Sequence, residues 1–400
     1  MPSVCLYFQV HQPCRLRRYS FFDVGHLHDY EDEAENRRIL DRVSLKCYLP
    51  ANALLLELID RHEGKFRVAF SLSGVAIDQL ERHRPDVLES FRRLAATGCV
   101  EFLNETDCHS LAFLFSPQEF RAQVLRHGKR IHTLFGQKGR TFRHTELIYS
   151  NDLAEVVEKL GYGTILAEGT EKILGRRTPN QVYRPMGCRK MKILLRNYRL
   201  SDDVAFRFSD RNWAEYPLTA AKYGHWLHRI KREEAMINLF MDYETFGEHQ
   251  WPETGIFDFL RALPGEILRH PDFRFETPAE AAEGHEAVGE IDCPSFISWA
   301  DEERDTTAWL GNAMQRDATW ALYGMESAVR RQKDEGILKT WRMLQTSDHF
   351  YYMCTKWFSD GDVHRYFNPF ESPYEAYINY MNILDDLSQS IKKKPKGESA

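Results

Sequence analysis

The 400-residue sequence lacks the patterns that mark disulfide-rich, zinc-binding and nucleic-acid-binding chains. Its eight cysteines are scattered and include no Cys-x-x-Cys pair, so we expect reduced, mostly buried thiols and neither a disulfide framework nor a zinc site. The formal net charge of −6 is small for this length, and no long basic stripe with interleaved rings precedes the last residues. We therefore expect no nucleic-acid partner.

The start of the chain also lacks targeting features. No basic leader precedes the apolar run in residues 1–10, and that run is far too short for a signal sequence or a membrane span. We therefore expect a cytoplasmic protein with no membrane partner. The lysine-rich run at residues 392–396 is most simply a solvated tail.

The apolar content of 43% is enough for a large core, and the apolar residues change their pattern along the chain. Over the first two thirds, short apolar runs alternate with helical patterns, which is typical of parallel strands joined by crossover helices. From about residue 291 onward, helical patterns replace the strands. We predict a barrel domain over residues 1–285, a helical domain over residues 286–391 and a disordered basic tail over residues 392–400.

Local signals predict individual elements. A capping box that begins at Ser116 predicts a helix ending before Gly136, and caps at residues 150–152 predict a second helix ending at Gly161. Short apolar runs predict six strands, at residues 4–10, 66–72, 100–103, 142–148, 164–167 and 237–241.

A helical stripe near the end of the chain leads to an acid. Ile337, Trp341 and Leu344 recur at positions i, i+4 and i+7, and one further step of four residues reaches Asp348. This carboxylate should therefore point where the apolar face points. A buried carboxylate needs a partner, which is either a protein donor or a bound ligand.

Two acids stand where predicted strands end. Glu146 and Asp242 each follow an apolar run and precede a cluster of rings and polar groups, as expected for side chains delivered to the mouth of a barrel. Either acid alone is most simply an ordinary salt-bridged carboxylate. Two acids placed in this way indicate chemistry on a glycosidic bond.

Five segments in order resemble glycoside hydrolase family 57, whose members are retaining enzymes active on α-glucans: residues 8–13, 98–105, 142–149, 239–251 and 346–351. The likeness is greatest to the α-amylase branch of that family. It implies a distorted, incomplete (β/α)7-type barrel followed by a C-terminal α-helical bundle. It also implies that Glu146 is the nucleophile and Asp242 the general acid/base.

The resemblance and the neighbouring aromatic and polar residues suggest further contacts with a sugar. His11 and Asp348 align with residues that line the sugar subsite at the point of cleavage, and Glu244 could orient a hydroxyl or form an ion pair. The full set of predicted substrate-binding residues is His11, His109, Tyr243, Glu244, Trp251, Trp299 and Asp348. The sequence departs from the family at Gln9, where many members have a histidine, and at residues 107–108, where rings are common before His109.

Retaining hydrolysis needs one acid to protonate the leaving oxygen and one carboxylate to attack the anomeric carbon. Asp242 must then hold a proton at neutral pH, which an apolar site near the charge of Glu146 would favour. We predict double-displacement hydrolysis of α-1,4 bonds in α-glucans or maltooligosaccharides. A 4-α-glucanotransferase or a branching enzyme would use the same acids, and a non-catalytic α-glucan-binding protein is a further alternative.

Metal-dependent carbohydrate deacetylases also use barrels of this general shape, and they need a histidine pair with an aspartate. The candidates here are residues 360–364 and the pair His225 and His228, which lack a matching third ligand. We therefore predict no metal and no other cofactor. The sequence does not specify the oligomeric state.

Overall fold

The computed structural model of the chain describes residues 2–231, 233–356 and 368–392. The strands in these ranges are β1 Ser3–Val10, β2 Val68–Leu72, β3 Val100–Phe102, β4 Thr141–Arg143, β5 Thr164–Glu168, β6 Val182–Pro185, β7 Lys192–Arg196, β8 Met236–Asp242, β9 Arg274–Phe275 and β10 Glu290–Ile291. The α-helices of the first two thirds are α1 Glu33–Val43, α2 Leu49–Arg61, α3 Gly74–His83, α4 Pro85–Ala96, α5 Pro117–Phe135, α6 Asn151–Lys159, α7 Glu171–Leu174, α8 Tyr198–Ala205, α9 Ala220–His228, α10 Ile256–Leu268 and α11 Pro278–Gly284. Those that follow are α12 Thr307–Leu310, α13 Ala313–Gly324, α14 Glu326–Gln332, α15 Glu335–Met343, α16 Ser347–Tyr351 and α17 Pro373–Lys392.

Seven strands form a distorted barrel. One sheet has the order β3-β2-β1-β8 and the other contains β7-β5-β4, with parallel pairing throughout these seven strands. A parallel bridge from Asn104 to Phe142 joins β3 to β4. On the other side, the Asn197 N–H donates to the Asn238 carbonyl at 2.9 Å, next to β7 and β8. β6 runs antiparallel to β7 and β10 extends the sheet beyond β6. The predicted fold class is confirmed.

Alternation along β1 explains how the barrel presents side chains to its mouth. Leu6 and Phe8 pack in the core outside the barrel, whereas Cys5 and Tyr7 fill its interior. Gln9 is the next inward position, and it lies opposite Asp242 in the register of β1 and β8. The carboxyl ends of these strands therefore deliver polar side chains above an apolar interior.

The C-terminal helices pack against the outer face of the second sheet. One core cluster contains Phe142 and Ile193 from the barrel together with Trp341 and Tyr380 from the helices. The predicted boundary between residues 285 and 286 stays a prediction, and β10 beyond it still pairs with β6. Residues 393–400 of the predicted tail lie outside the described residues.

The continuous helix predicted to reach Asp348 is wrong. Helix α15 ends at Met343, and Asp348 lies in the first turn of the separate helix α16. Between them the chain forms an antiparallel bridge from Thr346 to Ser110. This pairing requires extended backbone, so the helix stops and restarts.

No helix in the described part of the chain is long and apolar enough to cross a lipid bilayer.

Candidate active site

A cleft lies at the carboxyl ends of the barrel strands, which is where barrel enzymes carry their active sites. Seven of the predicted site residues line it: His11, His109, Glu146, Asp242, Glu244, Trp299 and Asp348. The cleft is completed by residues that were not predicted to contact substrate: Gln9, Pro13, Arg143, His249 and Tyr352. Both predicted catalytic acids therefore face the same space.

Glu146 is placed by a strained turn. Strand β4 ends at Arg143, and Glu146 then adopts φ 58° and ψ 26°, followed by Leu147 at φ 50°. Left-handed backbone at a residue other than glycine costs about 1–3 kcal/mol, and such strain clusters at functional sites. The turn is fixed because the Glu146 carbonyl accepts the Trp299 N–H at 3.2 Å. The strained turn therefore directs the carboxylate of Glu146 into the cleft.

The carboxylate of Glu146 is held at both oxygens. The indole Nε1–H of Trp299 donates to Oε2 at 2.8 Å, and His109 Nε2–H donates to Oε1 at 3.1 Å. The Ser347 hydroxyl lies 3.5 Å from Oε1. These donors come from three separate parts of the chain, and the residue is only 6% exposed. A buried carboxylate in one fixed orientation is suited to attack a single carbon atom.

His109 bridges two carboxylates. Its Nδ1–H donates to Glu105 Oε2 at 2.7 Å while its other ring nitrogen bonds Glu146. Burial alone would lower the pKa of His109, but the charges and hydrogen bonds of Glu105 and Glu146 raise it to about 9. Burial opposes ionisation of Glu105, yet His109 holds the pKa of Glu105 well below its usual range. At neutral pH the group between the two acids is therefore an imidazolium.

His11 stacks on His109 but is neutral, whereas His109 is charged. The two ring centroids are 3.9 Å apart, and burial together with the charge of His109 lowers the pKa of His11. The neutral ring fits its partners, because Nε2–H donates to Asp348 Oδ2 at 2.9 Å and Nδ1 accepts from the Ser73 hydroxyl at 2.6 Å. The Ala76 N–H in turn donates to Ser73 Oγ at 3.2 Å. Asp348 is thereby tied to the barrel through one neutral imidazole.

Glu244 follows Asp242 by two residues and lines the same cleft. Tyr48 donates its hydroxyl to Glu244 Oε1, and Gln12 donates its amide at 3.2 Å. Burial, and then the charge of Asp242, raises the pKa of Glu244 to about 8. Glu244 is therefore mainly protonated at neutral pH, chiefly because burial disfavours its charged form.

The structure places two predicted contacts elsewhere. Tyr243 is fully buried, donates its hydroxyl to Asn52 Oδ1 at 2.7 Å and packs against Phe70 at 4.9 Å between ring centroids. Its ring has no face open to a sugar, so the prediction that it touches substrate is corrected. Trp251 is 56% exposed and lies outside the residues that line the cleft, with the Lys46 ammonium 5.8 Å from its ring. Its contact with a long substrate stays a prediction.

Arg143 is the main residue of the cleft that the sequence analysis missed. It is fully buried, and its Cζ lies 4.9 Å from the ring of Trp299. None of its three guanidinium nitrogens has a hydrogen-bond partner among the described residues. The available signal was its position three residues before Glu146 at a strand end, where an inward side chain reaches the barrel mouth.

The described residues contain no group of three or more histidine, cysteine, aspartate or glutamate side chains arranged to hold a metal ion. His225 and His228 line a separate surface pocket near His270. The candidate ligands at residues 360–364 lie outside the described residues. The expectation of a cofactor-free reaction stays a prediction.

Comparison with known proteins adds a sequence family to this geometry. The model of glycosyl hydrolase family 57 matches residues 5–294. A protein of Methanocaldococcus jannaschii named "Putative alpha-amylase" is 45% identical over 399 residues, covering 96% of this chain and 84% of its own length.

Solved structures share the fold at low sequence identity. A 4-alpha-glucanotransferase from Thermococcus litoralis superposes with a TM-score of 0.68 at 14% identity, over 87% of this chain and 56% of its own. A family 57 branching enzyme from Thermococcus kodakaraensis gives 0.63 at 15% identity, over 88% of this chain and 86% of its own. An alpha-amylase from Thermotoga maritima gives 0.63 at 13% identity, over 98% of this chain and 94% of its own.

Proposed function

The chain belongs to glycosyl hydrolase family 57, and from this premise we propose that it hydrolyses α-1,4-glucosidic bonds of α-glucans with retention of configuration. We assign Glu146 as the nucleophile and Asp242 as the general acid/base. The observation that carries the proposal is the placement of Glu146, whose carboxylate is fixed by His109 and Trp299 in the cleft that Asp242 also lines.

The proposed reaction has two displacements. Protonated Asp242 donates its proton to the glycosidic oxygen while a carboxylate oxygen of Glu146 forms a bond to the anomeric carbon, and the bond to the leaving sugar breaks. Asp242 then removes a proton from water, the water oxygen attacks the anomeric carbon, and Glu146 leaves as a carboxylate. Two inversions at one carbon give net retention.

The charges around Glu146 support this cycle. When Glu146 becomes an ester, His109 loses one negative partner, but Glu105 keeps it paired at 2.7 Å. His109 therefore stays a charged donor that can stabilise Glu146 as it leaves in the second step.

The solved structures that share the fold support α-glucans as the substrate class, since they comprise an alpha-amylase, a 4-alpha-glucanotransferase and a branching enzyme. Transfer remains the second candidate, because a sugar hydroxyl can replace water in the second displacement. A transferase needs a platform for its acceptor, and residues 107–108 offer none: both are buried, and Asp107 is paired with Arg126 at 2.9 Å. This favours water. The predicted cytoplasmic location stays a prediction.

Proton NMR of early turnover on maltooligosaccharides tests the proposal. We expect shorter products, a net gain of reducing ends and a first-formed product in the α configuration. The matched control is Glu146→Gln, which keeps the shape of the side chain but cannot attack. A β-configured first product would overturn retention, and longer or branched products without new reducing ends would assign the chain to transfer. A wild-type protein that binds α-glucan without turnover would support a purely binding role.

A further inference from the structure

Arg143 is an anomaly in the floor of the cleft. It is the last residue of β4, it is fully buried, and it lines the cleft together with Glu146 and Asp242. A guanidinium carries five N–H donors, and buried polar groups are nearly always hydrogen-bonded. Its three nitrogens nevertheless lack a hydrogen-bond partner among the described residues.

A comparable arginine, Arg196, has a hydrogen-bond partner at each of its three guanidinium nitrogens. Arg196, at the end of β7, is also buried, and it donates to Glu168 at 3.1 Å, to Asp202 and to the Phe240 carbonyl at 2.8 Å. Both arginines lie near Trp299, with Cζ atoms 4.9 and 5.8 Å from its ring. The barrel end can therefore satisfy a buried guanidinium, and it does so for one arginine and not for the other.

Glu105, the acid whose pKa is affected by the charge of Arg143, is bonded to other donors. Glu105 accepts from His109, from Gln9 Nε2 at 3.1 Å and from the Ser71 hydroxyl at 2.7 Å. The charge of Arg143 lowers the pKa of Glu105, although no hydrogen bond joins the two side chains. The contact with Trp299 engages the cation through the ring, which does not satisfy N–H bonds lying in the guanidinium plane. The N–H groups of Arg143 are therefore available to an acceptor that enters the cleft.

We propose that Arg143 donates hydrogen bonds to a hydroxyl oxygen of the sugar unit bound at the point of cleavage, and so determines which sugar the cleft accepts. This inference rests on the proposed function. Positive charge develops at the anomeric carbon and the ring oxygen in the transition state, where a guanidinium would be unfavourable. The acceptor is therefore a hydroxyl away from that centre. A neutral sugar fits better than an anionic one, because Glu146, Asp242 and Asp348 also line the cleft.

The experiment compares the wild type with Arg143→Met on aryl α-maltosides that each lack one hydroxyl on the sugar at the cleaved bond. For the wild type, kcat/KM should fall about 10- to 100-fold for the deoxy substrate that lacks the acceptor of Arg143. Arg143→Met should be slow on the full substrate but lose less than about twofold more on that same deoxy substrate. Its losses on the other deoxy substrates should match those of the wild type.

The matched control is Arg304→Met, which removes an arginine paired with Glu168 at 2.9 Å and outside the cleft. It should lower thermal stability and leave the ratio between deoxy and full substrates unchanged. If Arg143→Met keeps the wild-type ratio for every deoxy substrate, Arg143 is structural and the inference fails. Failure of the proposed function is separate, because it is seen with wild-type protein that does not act on any maltooligosaccharide.

A second measurement does not depend on the folding of Arg143→Met. A crystal structure of Glu146→Gln with a bound maltooligosaccharide should place a guanidinium nitrogen within about 3.2 Å of a sugar hydroxyl. Contacts from Arg143 to water alone in that complex would overturn the inference. Arg143→Lys, which keeps the charge but loses the planar fork, should recover only part of the rate.

Discussion

Removing the charge of Glu105 should change the pH dependence of the enzyme through His109. Glu105 lies 2.7 Å from one ring nitrogen of His109, whereas Glu146 lies 3.1 Å from the other. The pKa of His109 is raised from 6.5 to about 9, a difference that corresponds to about 3 kcal/mol in favour of the charged ring. The charge of Glu105 is the largest contribution that raises it.

The direction of the effect follows from the charge state. Because the pKa of His109 is raised, its imidazolium stabilises the site below about pH 9, and this contribution is lost as the pH rises through that value. In Glu105→Gln the main source of the increase is gone while burial still opposes charge. The alkaline limb of kcat/KM should therefore move from about pH 9 to roughly pH 7 or below. At pH 7.5 the variant should lose about 10- to 100-fold, with partial recovery near pH 5.5.

A pH–rate profile between pH 5 and 10 with an activated aryl α-maltoside is the appropriate assay. Glu101→Gln is the matched control, since Glu101 is also buried, lies on β3 and bonds the Ala279 N–H at 2.9 Å away from the cleft. Its profile should retain the alkaline limb near pH 9. If Glu105→Gln shows the same alkaline limb as the wild type, His109 does not act as a charged donor to Glu146.

Three further predictions concern the acids and the absence of metal chemistry. Glu146→Gln should lose at least about 10⁴-fold in kcat while the protein still folds, because the amide is close to the carboxylate in shape but is not a nucleophile; turnover near the wild-type rate would remove its assignment. Asp242→Asn should slow maltooligosaccharides far more than activated aryl glycosides, which need little proton donation, and equal losses on both would count against the acid role. Prolonged EDTA treatment followed by gel filtration should leave activity largely unchanged, and its restoration by zinc or calcium would reopen the metal mechanism.

The parts of the fold that the sequence predicted are those with continuous apolar runs. β1, β2 and β8 are buried along almost all of their length, so most of their residues are apolar whichever face they present. β6 and β7 were missed because their segments mix apolar residues with Arg184 and Lys192, which reach solvent. β4 ends at Arg143, five residues before the predicted end, since the left-handed turn at Glu146 leaves no mark in composition.

The candidate site shows the same division. The sequence singled out Glu146 and Asp242, which both line the cleft, because an acid after an apolar run is conspicuous. Arg143 was missed because an arginine at the end of a strand is usually solvated. Tyr243 was placed wrongly because the backbone turns into a short 3-10 helix directly after Asp242, and this turn directs the ring into the core. Such rotations depend on tertiary packing and are not encoded in local periodicity.

The bridge from Ser110 to Thr346, with the Ser347 N–H bonded to the His109 carbonyl at 3.0 Å, has a consequence for synthesis of the protein on the ribosome. Both proposed catalytic acids are translated by residue 242, but Ser347 and Asp348 follow about a hundred residues later. The barrel of a nascent chain would therefore lack one wall of its cleft until that late segment arrives and pairs with residue 110. The proposed activity would therefore be delayed during translation until residues 347–348 have been made and have paired with the barrel.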